Sequence, residues 1–192
     1  ATQTTSTFWM WVLLYAYTLR IYFDFAGYTD IALGLGRFLG IKLPENFNSP
    51  YFKPNLTSFW NSWHITLAQW FRAYFFNPLT RALRSNRRRP PTWLIILLGQ
   101  LGTMLLIGLW HGITWNFAIW GLWHGAGLFI NNRWSEFSRP HLANLEQKST
   151  YHRLLVFGGW FLTFQFVALG WVWFALPTIN LSLEVFQVLL GL

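Results

Sequence analysis

Hydrophobic residues in this chain come in long blocks rather than alternating with polar ones. The first block, residues 7–23, includes Phe8, Trp9, Trp11, Leu13 and Tyr15 and is interrupted late by Arg20. No Asp, Glu, Lys or Arg occurs from 90 to 132, nor from 154 to 183. A bilayer core of roughly 30 Å needs about 20 apolar helical residues. The pattern therefore predicts spans at 7–23, 92–110, 115–131 and 154–176, the last stopped by Pro177. The middle pair reads as a helical hairpin with a tight junction at 111–114. Residues 30–41 are too short to cross. They read as a half-helix capped by Asp30, with Gly34, Gly36 and Gly40 leaving room for a neighbouring helix. Pro44, Pro50 and Pro54 make 42–56 a loop, held against the membrane by Phe47, Tyr51 and Phe52. Residues 57–79 read as one long aromatic helix started by Thr57 or Ser58, and 180–192 as a short apolar helix. The expected fold is all-α: a polytopic transmembrane helical bundle with a re-entrant or interfacial helix. It forms one membrane domain over 1–192 without solenoid-type repeats.

Composition narrows the class. The chain is 54% hydrophobic and 10% charged, against about a quarter charged in soluble domains. That excludes an ordinary soluble domain and a disordered chain. The lack of cysteine excludes disulfides, Cys-ligated zinc, iron–sulfur clusters and a thiol nucleophile. The net charge of +8 lies at the edges of apolar runs. Arg81, Arg84, Arg87, Arg88 and Arg89 form one block, and Arg133, Arg139, Lys148 and Arg153 are spread over another polar stretch. The positive-inside rule puts both on the cytoplasmic side and the 111–114 turn outside, with lipid rather than nucleic acid as the partner. The chain starts at Ala1, close to its first apolar block and with no visible signal peptide. It reads as a piece of a longer polypeptide.

Polar groups at membrane depth are functional candidates. Here they are Asp24, Asp30, His64, Arg72, His111 and His124, while His141 and His152 read as solvated. His64 follows Trp60 and Asn61 in an aromatic stretch that favours a neutral ring. It serves either as a base or hydrogen-bond partner, or as a core histidine bonded to a carbonyl. His111 ends an apolar helix between Gly108 and Gly112, which would leave space for a substrate to reach the imidazole. Such a ring can take a proton from a hydroxyl that attacks an acyl carbon; the alternative is a polar residue in a turn. His124 reads better as packing. Asp24 and Asp30 read as a salt-bridge partner for Arg20, Arg37 or Arg72 and as a cap, rather than as a metal pair or proton relay. His111 and His124 are spaced like haem ligands on one helix, yet a second pair is missing. No bound cofactor or metal is expected.

Four stretches together resemble the membrane-bound O-acyltransferase family, in its bacterial branch that acetylates alginate and other exopolysaccharides. They are Tyr22 to Asp30, Leu43 to Tyr51, Phe59 to Leu67 with Trp70-Phe71-Arg72, and Gly108 through Gly125. The resemblance implies a helical bundle around a tunnel. It implies that His111 is the family's invariant histidine, acting as general base or acyl-carrying nucleophile. The family's second motif position falls on His64, and His124 matches only the polysaccharide-type branch. Trp60, Asn61, Trp110, Asp24 and Arg72 are further tunnel or supporting candidates. The implied donor is an acyl thioester (acetyl-CoA or an acyl carrier), and the acceptor an extracytoplasmic polysaccharide, reached directly or through a periplasmic acyltransferase partner. The implied location is the bacterial inner membrane, with an N-terminal half or a complementary chain completing the tunnel. The competing class is a non-catalytic membrane scaffold or channel subunit that keeps the fold.

Overall fold

A computed structural model describes residues 6–87, 90–146 and 149–192, with side chains except at 139, 141–146 and 149. Arg88, Arg89 and Lys148, and the side chains of Arg139 and His141, lie outside the described residues. Every regular element among the described residues is helical.

The first apolar block and the expected half-helix form one helix, α1, Thr7–Phe38. Between them stands Gly27 and no proline, and a lone interior glycine costs only about 1 kcal/mol. Asp30 is therefore an exposed mid-helix residue, not a cap. Gly40, at φ 74°, ends the helix. Its N–H donates to the Arg37 carbonyl and that of Ile41 to the Gly36 carbonyl, a paired termination that favours glycine in the left-handed region. Gly36 accommodates the returning Leu43 side chain rather than a neighbouring helix, and nothing approaches Gly34.

The expected helix over 57–79 is broken into pieces. A 3-10 turn at Pro50–Phe52 leads to α2, Leu56–Trp60, then α3, Ile65–Phe71, a π turn at Arg72–Phe76, and α4, Asn77–Ser85. Asn55, not Thr57 or Ser58, caps α2, its side chain accepting from the Ser58 N–H at 2.8 Å. The break comes from outside the helix. Asn48 N–H donates to the Ser62 carbonyl, and Ile65 N–H to that of Asn46. Asn46 Oδ1 accepts from Thr66 Oγ1 at 2.7 Å and from its N–H at 3.2 Å. The 42–49 loop thus clasps 62–66 and occupies groups a continuous helix would use.

The hairpin is formed by α5, Thr92–His111, and α6, Trp115–Glu146. A Cβ on Gly108 would strike the Phe117 carbonyl, and one on Gly121 the Met104 carbonyl, so the two backbones touch. Continuation of α6 to Glu146, and the start of α7 (Ser149–Ala175), make the expected 133–153 loop mostly helical. Arg133 donates to Glu136 at 2.7 Å within α6, a helix-favouring spacing. His152 is exposed, but on α7 rather than in a loop. After Pro177, Thr178 caps α8, Ile179–Leu190. Asn116 Nδ2 donates to the Leu176 carbonyl and to Ser182 Oγ, tying the start of α6 to the end of α7 and to α8.

Two helical stretches, Thr92–His111 and Thr150–Ala175, are long and apolar enough to cross a membrane. The main core is aromatic: Tyr51, Phe59, Trp60, Trp63, Phe71, Trp120 and Trp171 pack with Met104, Ile107 and Val167.

Candidate active site

His111 is the last residue of α5. Its ring is surrounded by those of Trp110 at 4.9 Å, Phe174 at 5.0 Å, Trp120 at 5.5 Å and Phe117 at 6.0 Å between centroids. This box comes from three helices. The glycines flanking His111 do not open a route to it. The space beside Gly108 holds the α6 backbone, and the space beside Gly112 holds the Phe117 ring.

His64 approaches from the other side. It sits in the turn between α2 and α3 with φ 42° and ψ 56°, a left-handed conformation that costs a non-glycine residue roughly 1–2 kcal/mol. The Asn46–Asn48 clasp holds it there. Its ring meets Phe25 edge-on at 4.8 Å and Trp110 at 6.1 Å. Burial pushes this imidazole below the ordinary histidine range, because removal from water disfavours the charged form. Trp110, 58% exposed, contacts the rings of both His64 and His111. The structure therefore gathers His64, Trp110 and His111 at one end of α5.

His124 stands apart. It is fully buried, and neither ring nitrogen has a hydrogen-bond partner. Trp120 at 5.0 Å, Trp60 at 5.2 Å, Phe166 at 5.7 Å and Phe59 at 6.4 Å enclose it. The helix break between His111 and Trp115 also prevents the two histidines from sharing one helix. Asp24 pairs with Arg20 at 3.2 Å on an exposed face of α1 and does not join the histidines. Among the described residues no cluster of His, Asp or Glu is arranged to hold a metal.

Asn61 and Arg72 meet each other, with the Arg72 guanidinium donating to Asn61 Oδ1 at 2.7 Å. With Trp60, Gln100 and Thr103 they line a cavity of about 350 Å³ that reaches Ile107, one turn before His111. Sequence reasoning missed Gln100 and Thr103, although Gln100 is the one side-chain amide in the apolar run 92–110. It also missed the role of Tyr51. The buried Tyr51 hydroxyl donates to the Thr18 carbonyl at 2.9 Å and accepts from Trp171 Nε1 at 3.2 Å, joining α1, the 3-10 turn and α7.

The family model described as MBOAT, membrane-bound O-acyltransferase family, matches residues 2–174. The chain belongs to the membrane-bound O-acyltransferase family. It is 37% identical over 182 residues to a peptidoglycan O-acetyltransferase of Helicobacter pylori, covering 95% of this chain and 32% of the relative. It is 35% identical over 190 residues to a probable alginate O-acetylase of Pseudomonas aeruginosa, covering 98% and 33%. To a teichoic acid D-alanyltransferase of Streptococcus thermophilus it is 33% identical over 169 residues, covering 85% and 40%. The chain thus spans about a third of the length of the first two relatives. All three belong to acyl-group transfer by name, and the two O-acetylases match the branch expected from the four motifs. The membrane-bound O-acyltransferase assignment covers every residue gathered at the end of α5.

Proposed function

We propose that this chain forms the histidine-bearing segment of a bacterial inner-membrane enzyme. The enzyme moves an acetyl or similar short acyl group from a thioester donor toward hydroxyls of an extracytoplasmic polysaccharide, directly or through a partner acyltransferase. The observation that carries this reading is the convergence of His64, Trp110 and His111 at one end of α5. His111 acts as general base. It takes the proton of the acceptor hydroxyl as that oxygen attacks the thioester carbonyl. The C–S bond then breaks and the departing thiolate takes the proton back from the imidazolium. His64, held in its strained turn, hydrogen-bonds the acyl carbonyl and supports the charge that develops on its oxygen. The rings of Phe117, Trp120 and Phe174 keep water from the thioester. The O-acetylases among the relatives supply the acyl class and the polysaccharide acceptor.

The test replaces His111 by Ala in the full-length protein and measures polymer acetylation at matched expression. Loss of acetylation by about 10²-fold or more is expected for a missing general base. Retained acetylation sinks the assignment.

A further inference from the structure

Tyr51 lies lengthways against α7. Its carbonyl accepts from Trp160 Nε1 at 2.7 Å and its hydroxyl from Trp171 Nε1 at 3.2 Å. The two tryptophans are about three helical turns apart, so both project from one side of α7. The hydroxyl also donates to the carbonyl of Thr18 at 2.9 Å. Thr18 is fully buried within α1, so the hydroxyl is anchored on helical backbone at one end and on an indole at the other. Both candidate histidines are reached from here through aromatic rings. The Tyr51 ring stacks on Trp63 at 5.7 Å, and Trp63 immediately precedes His64. Trp171 packs on Trp120 at 5.8 Å and on Phe174 at 5.3 Å, two of the four rings that box His111. Trp63 and Trp171 meet directly at 5.2 Å.

Packed rings keep one another at a distance but resist sliding only weakly, because dispersion has no direction. An N–H···O bond is directional and weakens steeply as its angle falls. The Trp171–Tyr51 bond therefore fixes where the Trp171 indole stands within its stack, and with it two walls of the His111 box. The bond to Thr18 fixes Tyr51 in turn, and with it the face on which Trp63 rests. Without the hydroxyl, the buried Trp171 N–H would lose its partner, and the cost of that loss drives the indole to move. We propose that Tyr51 is a positioning residue for acyl transfer: its hydroxyl, held by Thr18, sets His111 relative to His64 through Trp171 and Trp63. Two groups acting on one acyl carbon tolerate little relative displacement, since an error of about 1 Å costs up to roughly 10²-fold in rate. Phenylalanine at this position would keep the stack and lose only the link. The inference deepens the acyl-transfer reading and rests on it for the effect on catalysis, not for the effect on the two rings.

The test pairs a spectroscopic reading with an activity reading on the full-length protein. Histidine ring NMR signals are recorded in nanodiscs with isotope-labelled histidine, those of His111 and His64 being assigned by His111→Ala and His64→Ala. Polymer acetylation is measured per amount of folded protein. Tyr51→Phe is expected to shift the His111 and His64 signals and to leave that of the exposed His152 in place. Acetylation is expected to fall about ten-fold, as a small misplacement implies. Trp171→Phe removes the donor of the same bond and gives a second reading if Tyr51→Phe folds poorly, with a comparable shift at His111 and a comparable loss. The double variant should be no worse than either single change, because both break one link. Independent effects would multiply to about 100-fold and would overturn the shared link. Trp160→Phe breaks the bond to the Tyr51 carbonyl instead and should leave the His111 signal in place; an equal shift there would mean general loosening and overturn the role of the hydroxyl. Acetylation unchanged in both Tyr51→Phe and Trp171→Phe, or histidine signals unmoved in both, overturns the proposal. Acetylation retained by His111→Ala defeats the acyl-transfer reading and leaves the signal shifts standing, so the two failures are distinguishable.

Discussion

The α5–α6 hairpin and the broken run from Leu56 to Ser85 each carry one histidine of the candidate site, and they are built by opposite means. In the hairpin, Gly108 and Gly121 bring two backbones into contact, and the turn at 112–114 follows directly from where the helices stop packing. Local sequence is enough to define it. The Leu56–Ser85 run has a helical composition, yet the Asn46–Asn48 loop captures its backbone and forces His64 into a left-handed turn. One histidine is placed by its own helix, the other by a distant segment. A single-residue change should therefore disturb His111 by breaking packing and His64 by breaking hydrogen bonds.

The largest expected effect is on the hairpin. Gly121→Leu puts a side chain into the Met104 carbonyl and should destabilise by more than about 3 kcal/mol, since the obstacle is backbone that cannot repack. Folded yield and thermal unfolding in detergent check this, and a normally folded variant would remove the close-contact account of the hairpin. His111→Ala empties the aromatic box around the ring and should cost less stability than Gly121→Leu, while activity falls by about 10²-fold or more. On the other side, Asn46→Ala removes the acceptor for both Thr66 donors and should cost about 1–2 kcal/mol. Asn46→Asp keeps an acceptor oxygen and should lose much less. Equal losses for the two variants would show that the clasp does not act through these bonds.

A finer comparison concerns His64 itself. His64→Gly should be more stable than His64→Ala by about 1 kcal/mol, because only glycine enters the left-handed region without strain. Both should be equally impaired in transfer. If Ala proves as stable as Gly, the turn is not strained as described. The smallest effect belongs to Asp24→Asn. Its pair with Arg20 is exposed, and such pairs contribute within about 0.5 kcal/mol. A large loss of activity in this variant would return Asp24 to the site.

The helical class, the hairpin junction and the last span were legible because each depends on long apolar runs and on Pro or Gly at the stops. Continuity of α1 was not legible, because Asp30 has the chemistry of a cap and the stretch 30–41 is too short to cross by itself. The breaks within Leu56–Ser85 were not legible either. They depend on partners that lie 14 to 20 residues earlier in the chain, such as Asn48 for Ser62 and Asn46 for Thr66. In the site, His111, His64 and Trp110 were visible as polar or aromatic residues in apolar surroundings. The Asn61–Arg72 contact spans the turn and all of α3, and Gln100 belongs to a different element, so no spacing rule joins them.

The π turn at Arg72–Phe76 has a consequence for direction. A π turn holds one residue more than an α turn, while each α-helical residue advances about 100° around the axis. Deleting one residue from 72–76 would restore an ordinary α-helix of nearly the same length. It would leave Arg81 and Arg84 close to their present bearing, whereas winding all five residues as α turn would rotate everything after them by roughly one residue's 100°. The widened turn thus works as a phase setting, absorbing one residue so that the arginines keep their compass bearing.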